Sequence, residues 1–115
     1  MPAECLFCRI ATGEIPARLA HEDDLVVAFH DVAPKAPTHV LVIPREHIGS
    51  AADLDESRGP LLGRMFAVAA HVARDEGIAE RGYRIVTNVG DDAGQSVHHL
   101  HLHLLGGRSL AWPPG

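Results

Sequence analysis

The chain has 115 residues, 46% of them apolar and 22% charged, and a formal net charge of −5. One domain over residues 1–115 suits that length, and the composition excludes a disordered chain. An acidic balance without a Lys/Arg run excludes a binder of long nucleic acid, which needs a basic face to displace counterions.

In chain order, Leu6 to Thr12 reads as a short helix stopped by Gly13, with Pro16 just beyond. Arg18 to His21 and Leu25 to His30 read as strands flanking an acidic turn. After a Pro- and Ala-rich loop at 32–37, Thr38 to Ile43 is apolar and β-branched enough for a buried strand closed by Pro44. Leu61, Leu62, Met65, Phe66, Ala69, Val72 and Ala73 recur at helical spacing, so Leu61 to Ala73 is the main helix, with Gly77 as its stop. Tyr83 to Asn88 and Val97 to Leu105 are the last strands, separated by the turn Gly90-Asp91-Asp92-Ala93-Gly94. Strands before and after one long helix define an α+β fold with a mostly antiparallel sheet. No apolar run is long enough to cross a bilayer, and Met1-Pro2-Ala3-Glu4-Cys5 lacks the marks of a signal peptide. A cytoplasmic protein with no membrane partner is expected. Cys5 and Cys8 are then thiols or metal ligands before they are a disulfide.

Nine histidines in so short a chain are its one unusual compositional feature. His99-Leu100-His101-Leu102-His103-Leu104 alternates strictly, which on a strand puts three imidazoles on one face and three leucines on the other. The leucines need a core, and three unpartnered imidazoles are costly to bury. A solvated face is the bland reading. A single metal ion is another, but the outer pair of an extended strand lies about 13 Å apart, too far for bonds of about 2.1 Å to one ion. The third reading is preferred: a central imidazole attacks while its neighbours orient it and stabilise charge. The Gly-rich turn before the strand can offer backbone N–H groups to a phosphate, with Gln95 and Ser96 adding donors and Asn88 close by.

Gly94-Gln95-Ser96-Val97-His98-His99-Leu100-His101-Leu102-His103-Leu104-Leu105 closely resembles the signature of the histidine triad superfamily. Phe29-His30-Asp31-Val32, Ala36-Pro37-Thr38-His39-Val40-Leu41-Val42-Ile43-Pro44 and the tail Trp112-Pro113-Pro114-Gly115 resemble its nucleotide-binding Hint branch. The resemblance implies a five-stranded antiparallel sheet with one long and one short helix, and a homodimer that shares one continuous sheet. It implies hydrolysis of purine nucleoside phosphoramidates, such as AMP joined to an amine, through a nucleotidyl-histidine. By match to the motif, His101 is the nucleophile, His99 orients it, and His103 with Ser96 and Asn88 meets the phosphate, with Gly94 and Gln95 beside them. Asp31 matches the position that binds the ribose hydroxyls; without the family it reads equally as a turn residue. Leu6, Phe7, Ile10, Phe29, His30 and Val32 match the wall around the base. His98 falls on the leucine face and takes no catalytic part.

Family members with this cysteine pair hold zinc, which by resemblance would here use Cys5, Cys8, His47 and His99. Such a zinc is structural; the chemistry itself calls for no catalytic cofactor. His39 and His47 flank the Thr38 to Ile43 strand and are not readily dismissed, whereas His21 and His71 read as surface residues. Two other functions fit the resemblance: another nucleotide hydrolase or transferase of the superfamily, which the tail and Gln95-Ser96 disfavour, and a non-enzymatic nucleotide-binding scaffold.

Overall fold

The computed structural model describes residues 5–115; Met1 to Glu4, on which the signal-peptide reading rests, lie outside them. Helix α1 (Leu6–Ala11) leads into strands β1 (Leu19–Glu22), β2 (Val26–His30) and β3 (Thr38–Pro44). Two 3₁₀ turns follow, Ala51–Asp53 and Glu56–Arg58, then helix α2 (Gly59–Asp75) and strands β4 (Tyr83–Val86) and β5 (Leu102–Gly106). The five strands form one antiparallel sheet in the order β1-β2-β3-β5-β4. That is the expected α+β fold.

Strand parity divides the core into two layers. Val26, Ala28, Val40, Val42, Leu102 and Leu104 face α2, which covers them with Met65, Val68, Ala69, Val72 and Ala73. On the other face Val27, Phe29, Leu41 and Ile43 pack with Phe7 and Ala11 of α1. Strand β3 lies between the two layers, so all seven of its residues are buried, which is why its sequence runs apolar without alternation. The main helix is longer than its apolar spacing predicts, because Pro60 is tolerated in the first turn, where its missing N–H has no acceptor. Its end is a Schellman turn: Gly77 has φ 76°, and the N–H groups of Gly77 and Ile78 donate to the Arg74 and Ala73 carbonyls at 3.1 and 3.0 Å. The 3₁₀ turns, capped by Ser50 and Asp55, carry no apolar period and are not legible from spacing.

The β1–β2 turn is fixed by Asp23, whose carboxylate accepts the N–H groups of Leu25 and Val26 at 2.8 and 2.9 Å. The same carboxylate takes His21 at 2.6 Å and Arg64 of α2 at 2.9 Å. Burial raises the pKa of Asp23, but these donors outweigh it and hold the carboxyl well below its ordinary range. His21 is therefore half-buried and engaged rather than a plain surface residue, its ring centroid 6.0 Å from that of His71.

The last strand differs from expectation: β5 begins at Leu102, not Val97. Its neighbour β4 ends at Val86, so the backbone before Leu102 has no ladder partner on that side. Instead Thr87 Oγ1 donates to the His101 carbonyl at 2.8 Å, and the Leu100 N–H donates to the Ile48 carbonyl at 2.6 Å. The in-and-out alternation survives this bend for residues 99–104, with Leu100, Leu102 and Leu104 in the α2 core. His98 is exposed rather than on the leucine face. Among the described residues, no helix is long and apolar enough to cross a membrane.

Candidate active site

On the α1 face of the sheet the triad imidazoles lie in a row, and each is defined by what its second nitrogen touches. His101 is buried, and its Nδ1–H donates to the backbone carbonyl of His99 at 2.6 Å. In the neutral ring this leaves Nε2 without a proton. The fully buried His99 donates Nε2–H to the Pro44 carbonyl at 2.9 Å, so its bare nitrogen is Nδ1. Burial, opposed by that hydrogen bond, lowers its pKa. The ring of His103 is centred 4.9 Å from that of His101. Burial above all, then the neighbouring His101 and His39, push His103 down to about 4, so it is neutral at pH 7.

A fourth imidazole joins the row. His39 on β3 receives the Lys35 backbone N–H on Nδ1 at 3.0 Å, which fixes its proton on Nε2, and that Nε2–H donates to His103 Nδ1 at 2.9 Å. His103 is thereby left with its own proton on Nε2. Asp31 Oδ2 lies 3.5 Å from His39 Nε2, while Oδ1 accepts the Ala33 N–H at 2.8 Å. Both readings of Asp31 are therefore present: one oxygen holds the turn and the other faces the histidines. Asp31, His39 and His103 offer atoms of the ligand type within 4.8 Å of one another. A cation bound at His39 Nε2 would force the proton onto Nδ1, against the Lys35 N–H, whereas a metal-bound histidine normally donates its second N–H. The cluster is a hydrogen-bonded pair of imidazoles with a carboxylate beside it. Sequence spacing alone did not give His39 a role, but the register did hold the signal: Leu41 pairs with His103, so His39 is its diagonal neighbour on the same face.

Cys5, Cys8, His47 and His99, also expected together, do converge, with four ligand atoms within 4.8 Å of one another. His99 Nδ1 lies 3.4 Å from Cys5 Sγ and 3.5 Å from Cys8 Sγ, and His47 Nδ1 lies 3.3 Å from Cys8 Sγ. About 3.5 Å is the sulfur–nitrogen edge of a tetrahedron with Zn–S near 2.3 Å and Zn–N near 2.0 Å. The Pro44 bond keeps the proton off His99 Nδ1, as a ligand requires. Burial first, then Cys5, push the Cys8 thiol up to about 11, so a thiolate there needs a cation beside it. The donor set fits zinc.

The expected base wall is partly assembled. Phe7 packs edge-on to Phe29 at 5.4 Å and to the His101 ring at 5.0 Å, with Ile10 half-buried beside them. Leu6 is 45% and Val32 99% exposed, so these two offer apolar surface to a ligand while the phenyl rings are buried. His30 does not belong to this wall: strand parity sends its ring to the α2 face, 3.9 Å from Glu76.

The glycine turn also departs from expectation. The N–H groups of Gly94 and Gln95 close the turn on the Asp91 and Gly90 carbonyls at 3.0 and 3.1 Å, and the Gly90 N–H donates to Gln95 Oε1 at 3.0 Å. These donors are consumed within the loop and do not form an anion nest. Ser96, exposed, and Asn88, half-buried, stand at its two ends.

Residues 12–110 match the HIT domain family. The chain belongs to that family. It is 50% identical to an uncharacterized HIT-like protein of Synechococcus elongatus, over all of both chains. It is 48% identical over 110 residues to the purine nucleoside phosphoramidase of Escherichia coli, covering 96% of this chain and 92% of that one. Among solved structures, a HIT family hydrolase from Legionella pneumophila superposes with a TM-score of 0.95 at 50% identity, over 97% of this chain and all of that one.

Proposed function

We propose that this HIT-family hydrolase cleaves purine nucleoside phosphoramidates, AMP joined to an amine, through a nucleotide bonded to His101. One observation carries the reading: His101 commits its Nδ1 proton to the His99 carbonyl at 2.6 Å, so Nε2 holds a free lone pair, its ring packed edge-on against Phe7. The exposed Leu6 and Val32, with the half-buried Ile10, offer a purine apolar surface backed by the buried Phe7 and Phe29. The similarity to the Escherichia coli phosphoramidase supports the same substrate class.

His101 Nε2 attacks phosphorus, the P–N bond breaks, and the amine leaves with one added proton. The amine takes that proton from solvent, to which the attacking water of the second step returns one; the His103 Nε2–H, fixed through Nδ1 by His39, stays in place to bind a phosphoryl oxygen. The His99 carbonyl stabilises the charge that His101 gains when its Nε2 carries phosphorus. Water then attacks phosphorus, the P–Nε2 bond breaks, and AMP departs. Because the glycine N–H groups are engaged, side chains meet the phosphoryl oxygens: Ser96, Asn88 and the His103 Nε2–H. One oxygen of Asp31 reaches the ribose hydroxyls.

Zinc, when bound by Cys5, Cys8, His47 and His99, supplies structure and not chemistry: it joins the start of α1 to the sheet and holds the ring of His99. A reducing cytoplasm suits the two free cysteines. A second copy of the chain pairs along the β4 edge into one continuous sheet, supported by the partly exposed Tyr83 on that strand and Phe66 on α2. Incubation with a fluorogenic adenosine 5′-phosphoramidate tests the activity. Turnover by the wild-type protein and its loss by several orders of magnitude in a folded His101→Ala variant is the expected result; a variant that keeps a tenth of wild-type turnover refutes the assignment.

A further inference from the structure

The loop between β4 and β5 carries Ser96 and Asn88 with little regular structure to hold it. Its own backbone contributes the two turn bonds on Asp91 and Gly90. Among the described residues, what hydrogen-bonds its 88–97 stretch to the rest of the protein is one side chain. Gln95 is only 8% exposed, and all three bonds of its amide go to backbone. Oε1 accepts the Gly90 N–H at 3.0 Å, and Nε2 donates to the Val97 carbonyl at 3.1 Å and the Gly49 carbonyl at 2.9 Å. Gly90 and Val97 bracket the loop, so the amide closes it as a ring. Gly49 lies two residues beyond His47, so the same amide ties the loop to the segment that leads into the cysteine–histidine cluster.

We propose that Gln95 is a positioning residue, not a substrate ligand: it sets where Ser96 stands against the phosphate and thereby the protein's preference for a phosphorylated nucleoside. Its donors are spent on the Gly49 and Val97 carbonyls, so it has none to offer a phosphate. Ser96 is the next residue, and any rotation of the Gln95 backbone moves its hydroxyl directly. The base wall lies on α1, β2 and the loop after β2; of the Gln95 partners Val97 packs against that cluster with its side chain, whereas Gln95 holds its backbone carbonyl. Losing Gln95 therefore acts first on Ser96 and phosphate recognition, with Phe7 and Phe29 still packed on each other. Gln95→Glu keeps an acceptor for the Gly90 N–H but sets a carboxylate against two carbonyls. Gln95→Met removes all three bonds at similar volume.

The proposal rests on the nucleotide reading above, and the test separates the two. Affinities for AMP and for adenosine are measured by calorimetry on the full chain and on both variants. In the wild-type protein AMP binds more tightly. In the variants the AMP-to-adenosine ratio falls about tenfold or more, with adenosine affinity held within about twofold. A ratio that stays at its wild-type value overturns the positioning role, and so does an equal loss of both ligands, which makes Gln95 a residue of the fold alone. A wild-type protein that binds AMP no better than adenosine overturns the underlying nucleotide reading together with this one, and shows it before any substitution is made. If neither variant folds, the wild-type protein decides by NMR. The Gln95 side-chain amide and Gly90 backbone signals shift together on addition of AMP and not of adenosine; signals indifferent to AMP overturn the proposal.

Discussion

At the scale of single residues, four imidazoles of one sheet face acquire different chemistry from what their second nitrogens touch. A carbonyl at Nδ1 leaves the lone pair of His101 on Nε2, and a carbonyl at Nε2 leaves that of His99 on Nδ1. The Lys35 N–H makes His39 a donor to His103. Burial pushes His103 down to about 4 from an ordinary value of 6.5, and burial also lowers His39. Both rings are neutral in the fold and take up protons on unfolding below pH 6.5. Stability is thus full above that value and is lost as the pH falls towards 4. Denaturation midpoints at pH 7 and pH 5 check this: the midpoint drops at pH 5, and His103→Gln drops less. A variant with the wild-type slope contradicts the assignment. Asp31, with one oxygen on the Ala33 N–H and the other towards His39, should discriminate ribo- from 2′-deoxyribonucleotides by about 1–3 kcal/mol. Asp31→Ala flattens that preference; equal discrimination in both proteins reduces Asp31 to its turn.

At the scale of elements, alternation in His99 to Leu104 was enough to place leucines in the α2 core and histidines opposite them, because period-two parity needs only a locally extended backbone. It did not reveal that the regular strand starts at Leu102, since that depends on where β4 ends. Nor did it show that the glycine turn spends its N–H groups on itself, because φ-permissive residues say where a turn is and not where its donors go. His30 was misplaced by matching a motif without applying the same parity. The cysteine pair at the start of α1 converges with His47 and His99 as the resemblance implied. Zinc bound there would pin α1, and with it Phe7, to the sheet. Metal analysis of protein purified without added zinc should give close to one equivalent per chain, and Cys5→Ser with Cys8→Ser should lower Tm while sparing most turnover. Less than about a tenth of an equivalent, with both thiols readily titrated in the folded protein, refutes the site.

At the scale of the whole molecule, the sheet has two edges, β1 and β4, and the tail lies against the second. Arg84 of β4 donates to the Ala111 carbonyl at 3.0 Å, its guanidinium 5.9 Å from the centre of the Trp112 ring, yet that ring is 80% exposed. An exposed tryptophan beside an open strand edge fits a surface awaiting a second copy. Sedimentation at micromolar concentration should give a dimer, and removal of residues 112–115 should alter substrate selectivity more than stability; a monomer with the tail intact contradicts the shared sheet.

All three scales converge on His101 Nε2, so the most direct test is to catch the bond it forms. The protein is mixed with an adenosine phosphoramidate, quenched in acid within the first turnovers, digested and read by mass spectrometry. A peptide containing His101 that carries one adenylyl group, absent when His101→Ala is treated the same way, is the result predicted here. Turnover by the wild-type protein with no adduct at any quench time, or an adduct on another residue, contradicts it.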